Sequence, residues 1–246
     1  MDRMLYVAMS GAKETLKAQA VNNHNLANAS TNGFKADLAA FQSRAVDGTG
    51  FASRVYAQDT SVGWDRSAGS LLSTGRDLDV AVNGDGWIAV QGADGKEAYT
   101  RAGDLQLDPT GQLVTATGRP VLGDNGPMTI PPYTSLFVAG DGSISIVGQG
   151  QTPQATSTIG RIKLVKPPAE QMVRGDDGLF RQKSGAPADS DATVRLASGV
   201  VESSNVNAAE SLVNMIELAR HFEMQVKAIH TAEENGAAAT QLMRLG

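Results

Sequence analysis

The sequence predicts a mixed α and β fold: long N- and C-terminal helices, paired in a coiled-coil-like layer, flank an all-β middle domain of barrel or sandwich type. Three observations predict it. Near each end of the 246-residue chain, apolar residues recur at alternating four- and three-residue spacing, the seam of a helix that packs on other helices. Between these ends the period switches to two, with Gly-Asp-Gly-type turns separating short runs. Neither terminal seam has another long helix in the sequence to pair with, so an antiparallel or near-parallel pair of termini buries both most economically.

The N-terminal seam reads Leu5, Met9, Ala12, Leu16, Gln19, Asn23, Leu26. A helix of about 25 residues would be roughly 37 Å long. It leads into Asn22–Lys35, where five Asn residues together with Ser30 and Thr31 supply short polar side chains that bond to nearby backbone. Such residues favour helix ends over helix interiors. Gly33 is free to take positive φ as the chain turns out of the helix, and Phe34 follows as an apolar anchor. Ala36–Val46 reads as a short helix with Leu38, Phe41 and Val46 apolar. Gly48, Gly50, Gly63 and Gly69 then break a Ser- and Thr-rich stretch, read as extended chain with one short hairpin.

From Gly75 to about Leu196 the pattern is β. Leu78–Val82 and Trp87–Val90, joined by Asn-Gly-Asp-Gly, read as a hairpin. Further strands are expected at 99–101, 105–107, 113–115, 128–130, 136–138, 143–146, 160–165, 179–181 and 194–196. Helix then returns. Asn207 and Glu210 have capping-box spacing. The second seam reads Leu212, Met215, Ala219, Phe222, Val226, Ile229, and Ile216 and Leu218 widen it. A helix over Ala208–Met243 would be about 54 Å long. Its surplus apolar surface invites other subunits. The organisation that follows is a terminal-helix domain (1–35 and 208–246), an extended connecting region (36–75 and 197–207) and a β-rich domain (76–196).

Composition narrows the function. A hydrophobic fraction of 41% is enough for a sizeable core in one or two domains. The net charge is −5 with no basic patch, so nucleic acid is not the expected partner. With no cysteine, disulfides, thiolate metal sites and a cysteine nucleophile are excluded. The first residues carry Asp2 beside Arg3, a short apolar run and then Lys13, Glu14 and Lys17, which does not read as a cleaved signal peptide. No catalytic constellation emerges. His24, His221 and His230 lack acidic partners at metal spacing, and the Gly-Asp-Gly turns do not continue into a calcium loop. No phosphate-cradling loop or Gly-x-Ser-x-Gly elbow is present. Asn28-Ala-Ser30 fits a glycosylation pattern, but helix-exit capping explains it better. No cofactor, metal or small-molecule substrate is expected.

Three segments carry a family resemblance. Asn25-Leu-Ala-Asn-Ala-Ser-Thr-Asn-Gly-Phe-Lys35 resembles the N-terminal signature of the axial proteins of the bacterial flagellum, the rod and hook subunits. Ser198-Gly-Val-Val-Glu-Ser-Ser-Asn-Val-Asn207, with the helix through Phe222-Glu-Met224, resembles their C-terminal signature. Ser73-Thr-Gly-Arg-Asp-Leu-Asp-Val-Ala-Val-Asn-Gly-Asp-Gly-Trp87, Tyr99-Thr-Arg-Ala-Gly103 and Leu107–Leu113 resemble the entry to their β domain. The opening Met1–Gly11 and Trp87 resemble the proximal-rod branch; His24 departs from the plainer Asn-Asn-Leu-Ala-Asn signature. The resemblance implies a structural subunit of the basal body rod, exported by the flagellar type III apparatus and stacked helically in the periplasm, where it transmits torque. Terminal helices would line an inner tube and the β domain would face outward. Implied partners are copies of itself, other proximal- and distal-rod subunits, the export apparatus, the MS ring and hook-basal-body adaptors. On that basis Leu5, Met9, Leu16, Leu26, Leu212, Met215, Ile216, Phe222, Val226 and Ile229 are candidate subunit-interface residues. Asn25, Leu26, Asn28, Thr31, Gly33 and Phe34 form the candidate helix-exit motif. The alternatives are a distal-rod or hook-type subunit, or a secreted β-rich enzyme.

Overall fold

A computed structural model describes residues 2–38, 41–45, 55–59, 63–151 and 155–245. The chain divides into two compact units. The first comprises residues 1–29, 35–67 and 206–246; the second comprises 30–34 and 68–205.

The first unit holds the helices and four short strands. Helix α1 spans Asp2–Ala27; the strands are β1 (Asp37–Leu38), β2 (Phe41–Ala45), β3 (Val55–Asp59) and β4 (Gly63–Trp64); helix α2 spans Ala208–Leu245. Helices α1 and α2 pack antiparallel, since Asn22 Nδ2 donates to the Ser211 carbonyl at 2.8 Å and Gly11 lies against the Gln225 side chain. Small residues line the facing side of α1: Ala8, Ala12 and Ala18 are buried, and Thr15 returns its hydroxyl to the Gly11 carbonyl. On α2, Asn207 caps the N-terminus, its Oδ1 accepting the Ala209 and Glu210 N–H groups at 3.1 and 3.4 Å. Gly236 does not interrupt the helix.

One expectation changes in this unit. Residues 37–38 and 41–45 are strand rather than helix, with β1 pairing β4 and β2 pairing β3. The hairpin ladder satisfies backbone groups that an isolated two-turn helix would leave open at both ends. Val46, Gly48 and Gly50 lie outside the described residues.

The strands of the second unit all pair antiparallel, with one short 3-10 helix at Ala169–Gln171 among its described residues. Its strands are β5 (Leu71–Ser73), β6 (Val80–Asn83), β7 (Trp87–Gln91), β8 (Glu97–Thr100), β9 (Leu105–Leu107), β10 (Leu113–Thr115), β11 (Leu122–Gly123), β12 (Gly126–Pro127), β13 (Tyr133–Val138), β14 (Ser143–Gly148), β15 (Thr156–Arg161), β16 (Leu164–Val165), β17 (Met172–Arg174), β18 (Phe180–Gln182), β19 (Arg195–Ser198) and β20 (Val200–Glu202). The largest sheet has the order β16-β7-β8-β18-β17, a second runs β13-β14-β15, and the pairs β19-β6, β20-β5, β9-β10 and β11-β12 complete the set. Among the described residues the ladder does not close into a barrel, because strands of two to six residues are shared among small separate sheets. One core joins them. Val80, Ile88, Val90, Leu105, Leu113 and Ile144, from β6, β7, β9, β10 and β14, are fully buried together with Val121 and Ile162 at bridges outside the strands.

The expected Leu78–Val90 hairpin does not form. Strand β6 pairs with β19, while β7 pairs with β8 and β16, so the Asn-Gly-Asp-Gly segment is a corner between sheets. The Arg101 guanidinium holds that corner, donating to the Gly84 carbonyl at 2.7 Å and the Val82 carbonyl at 3.4 Å. The expected 160–165 strand is likewise divided between β15 and β16.

Candidate assembly surfaces and the motif node

In the first unit, the four-three seam residues fall into two groups. Leu5, Leu26, Met215, Phe222 and Ile229 are half-buried on the helix pair. Met9 (51%) and Leu16 (49%) on α1, and Leu212, Ile216 and Val226 on α2, are exposed. Tyr6, Val213 and Met224 are exposed beside them. The intrachain contact instead uses the small face of α1 and an α2 stripe shifted by one residue at its start: Ser211, Met215, Leu218, Phe222, Gln225. Sequence periodicity could not separate these faces, because an alanine face looks weakly apolar yet permits the closest approach of two helices. The result is a helix pair that leaves large apolar side chains in solvent.

The helix exit is built from side chain to backbone bonds. Asn28 Nδ2 donates to the His24 carbonyl at 2.9 Å, and its backbone N–H donates to the Asn25 carbonyl at 3.1 Å. Asn25 works as a strand edge: its Oδ1 accepts the Asp37 N–H at 2.8 Å while its Nδ2 donates to the Asp37 carbonyl at 2.9 Å. His24 Nδ1 lies 2.8 Å from Asp37 Oδ2. Lys35 is buried, with Nζ donating to the Ser67 carbonyl at 2.7 Å.

The rest of the exit belongs to the second unit. The Thr31 carbonyl accepts the Phe34 N–H at 3.3 Å, closing the turn. Gly33 has φ 67° and donates its N–H to the Glu202 carbonyl at 2.7 Å. A Cβ there would sit 2.2 Å from the Arg101 carbonyl carbon, so both the conformation and the space require glycine. Phe34 is 5% exposed, beneath the Arg174 guanidinium at 4.3 Å, and its carbonyl accepts the Asn205 N–H at 3.3 Å.

Below the exit lies a buried ion pair. Arg101 Nη1 donates to Glu202 Oε2 at 3.0 Å, with side chains only 8% and 1% exposed. Glu202 Oε1 accepts the Gly69 N–H at 3.0 Å, and the guanidinium also stands 5.4 Å from the Trp87 ring centroid. Gly103 brings the backbone against Val80, where a Cβ would meet the carbonyl oxygen at 1.6 Å. Three motif segments far apart in sequence thus meet at one place: Gly33-Phe34, Arg101–Gly103 and Glu202. The sequence signal for this node was two charges, Arg101 and Glu202, each inside an otherwise apolar or glycine-bearing β run; periodicity alone does not pair them.

The comparisons with known proteins agree in where they fall. Residues 5–35 match the family described as "Flagella basal body rod protein", 81–146 that described as "Flagellar hook protein FlgE/F/G D1 domain", and 197–242 that described as "Flagellar basal body rod FlgEFG protein C-terminal". The chain is 45% identical over 251 residues to the "Flagellar basal-body rod protein FlgF" of Salmonella typhimurium, covering 100% of both chains. It is 44% identical over 251 residues to the protein of that name in Escherichia coli, again covering 100% of both. It is 33% identical over 255 residues to the "Flagellar basal-body rod protein FlgG" of Bacillus subtilis, covering 94% of this chain and 96% of that one.

Proposed function

The chain belongs to the flagellar basal-body rod protein family, and from that membership we propose that it polymerises helically in the proximal rod, which transmits torque from motor to hook and filament. It is a structural subunit of the flagellar basal body and not an enzyme, and it assembles with other rod and basal-body subunits. The placement in the proximal rod is supported by the 45% and 44% full-length identity to the FlgF proteins of Salmonella typhimurium and Escherichia coli, and by Trp87. The observation that carries the polymer reading is the apolar surface of the helix pair: Met9 and Leu16 on one helix, Leu212, Ile216 and Val226 on the other, all exposed in the single chain.

In this reading residues 1–35 and 208–246 form the inner tube, 76–196 form an outer domain, and 36–75 with 197–207 connect them. Leu5, Leu26, Met215, Phe222 and Ile229 hold the pair together, and the exposed set contacts neighbouring subunits. Asn25, Leu26, Asn28, Thr31, Gly33 and Phe34 set the angle at which every subunit leaves the tube. The neighbours are copies of the chain and the other proximal- and distal-rod proteins, with the MS ring and hook-basal-body adaptors at the ends. The subunit reaches the periplasm through the flagellar type III apparatus.

The test is complementation of a flagellated strain lacking its own subunit of this kind. The parent chain should restore swimming and intact basal bodies in electron micrographs. A variant carrying Met9→Asp, Leu16→Asp and Ile216→Asp should be exported and folded yet absent from rods. Normal rods built with that variant would overturn the polymer reading.

A further inference from the structure

Asn-Gly is the dipeptide most open to spontaneous deamidation, because a glycine N–H is not shielded by a Cβ and its backbone reaches conformations other residues avoid. The glycine nitrogen attacks the asparagine Cγ, a C–N bond closes a cyclic imide, and the side-chain nitrogen leaves as ammonia with the glycine's proton. Water then adds to either imide carbonyl and yields aspartate or isoaspartate. The chain has four such pairs, Asn32-Gly33, Asn83-Gly84, Asn125-Gly126 and Asn235-Gly236. Asn83 and Gly84 are exposed after β6, and Asn125 is exposed in the turn between β11 and β12. Asn235-Gly236 lies inside α2, where the Gly236 N–H belongs to the helix ladder. Asn32-Gly33 is closed off by tertiary contacts instead. Gly33 is buried, and its N–H, the nucleophile, donates to the Glu202 carbonyl at 2.7 Å. The Asn32 amide, the electrophile, is held as well, with Nδ2 donating to Asp104 Oδ2 at 3.2 Å.

The partner of that amide makes its neutrality matter. Asp104 and Asp79 stand opposite each other in an antiparallel bridge, and the Val80 N–H donates to the Gly103 carbonyl at 2.9 Å. That pattern makes Asp79 and Asp104 a non-hydrogen-bonded pair, the closer of the two kinds, with both side chains on one face. Each keeps one carboxylate oxygen buried and without a hydrogen bond among the described residues, and the Arg76 guanidinium comes no nearer than 3.6 Å to that of Asp79. Such a pair accepts a neutral donor beside it. Conversion of Asn32 to aspartate removes the donor and sets a third negative charge against the pair, and like charges brought together without compensation oppose folding. Isoaspartate also adds a methylene to the backbone just before Gly33, whose φ of 67° and tight fit on the Arg101 backbone leave no room for it.

We propose that Asn32-Gly33 is a deamidation site which the docked helix exit keeps shut: it converts while the exit is undocked, and once converted the exit no longer docks. The conversion rate then follows the population of the open exit, as for any reaction that proceeds through local opening. The exit thereby works as a one-way check on the age of a chain. A chain that folds promptly keeps its amide, and one held open too long acquires the charge that prevents closure. Every contact involved lies within one chain, so the inference does not depend on the rod reading.

The full-length chain is incubated at mildly alkaline pH, in buffer and in unfolding urea, and digested with trypsin at intervals. Fragment masses of the peptides Ala18–Lys35 and Asp77–Lys96 report amide-to-acid conversion at Asn32 and Asn83. Asn32 should convert roughly tenfold or more slowly in buffer than in urea. Phe34→Ala, which loosens the exit, should speed Asn32 conversion several-fold in buffer while leaving the Asn83 rate unchanged. Independently of any rate, Asn32→Asp should lower the melting temperature by several degrees, and adding Asp104→Asn should recover at least half of the loss. Equal Asn32 rates in buffer and urea, or no acceleration by Phe34→Ala, overturns the protection by docking. An Asn32→Asp chain as stable as the parent, or no recovery with Asp104→Asn, overturns the block to closure. None of these results bears on the rod reading.

Discussion

Arg101 and Glu202 show how one pair of side chains can tie distant segments together. Breaking a buried ion pair leaves a charge without compensation, whereas replacing both partners by apolar groups of similar size can be neutral or better. Glu202→Gln should therefore lower the unfolding free energy by about 3 kcal/mol, measured by urea denaturation at pH 7. The double change Arg101→Met with Glu202→Leu should recover part of that loss; a double variant less stable than Glu202→Gln would show that the pair itself is a net source of stability. Gly33→Ala meets a positive φ and a backbone carbonyl at once, so it should cost at least 1 to 3 kcal/mol. Native-like stability for Gly33→Ala would mean the exit does not dock on the Arg101 backbone.

At the scale of elements, recurring turns and the helix pair carry the argument. Several loops are closed by an Asp that accepts bonds from the residue two positions on: Asp108 from Thr110, Asp141 from Ser143, Asp191 from Thr193. The Thr110 and Thr193 hydroxyls hold Asp108 and Asp191 below the usual carboxylate range, the Ser143 N–H does so for Asp141, and the Arg181 guanidinium does so for Asp177. A carboxyl lowered by folding contributes stability that is present above its unfolded value, ~3.9, and lost as pH falls through the folded value. The β unit should therefore unfold at lower urea at pH 2.5 than at pH 6, and Asp177→Asn should flatten that dependence. An unchanged pH dependence in the variant would exclude the Arg181 contact as its source. In the helix pair, Asn207→Ala removes the cap of α2 and should cost about 1 kcal/mol of helix stability, read by far-UV circular dichroism melting. Phe222→Ala with Ile229→Ala should weaken assembly more than it weakens the β unit, because both residues belong to the helix pair.

At the scale of the molecule, the division into two units makes a truncation experiment decisive. Residues 30–34 belong with the β unit, although they lie only a few residues beyond α1. A chain lacking residues 1–28 keeps Gly33 and Phe34, so its β unit should retain a cooperative thermal transition while assembly is lost. A chain lacking 1–35 should lose several degrees more, since Glu202, Arg174 and Asn205 then lose their contacts with the exit. Equal melting temperatures for the two truncations would show that the exit docks without stabilising. Removal of 212–246 should likewise abolish assembly and leave the β transition in place.

The residues by themselves determined the order helix, β region, helix, the lengths of both helices to within a few residues, the sites of most strands and the family. These follow from local rules: a period of 3.6 or 2, capping chemistry and turn residues act over a few neighbours and are written in order. What pairs with what was decided only in three dimensions. Strand β6 leaves its expected partner β7 for β19 because Arg101 turns the intervening loop into a corner. Met9 and Leu16 face solvent because alanines let α1 approach α2 more closely than large side chains would. Arg101 finds Glu202, 101 residues away, and Gly33 closes over both. Each of these outcomes depends on the shape and charge of surfaces that exist only once the chain has folded, and so none of them has a period that a sequence can display.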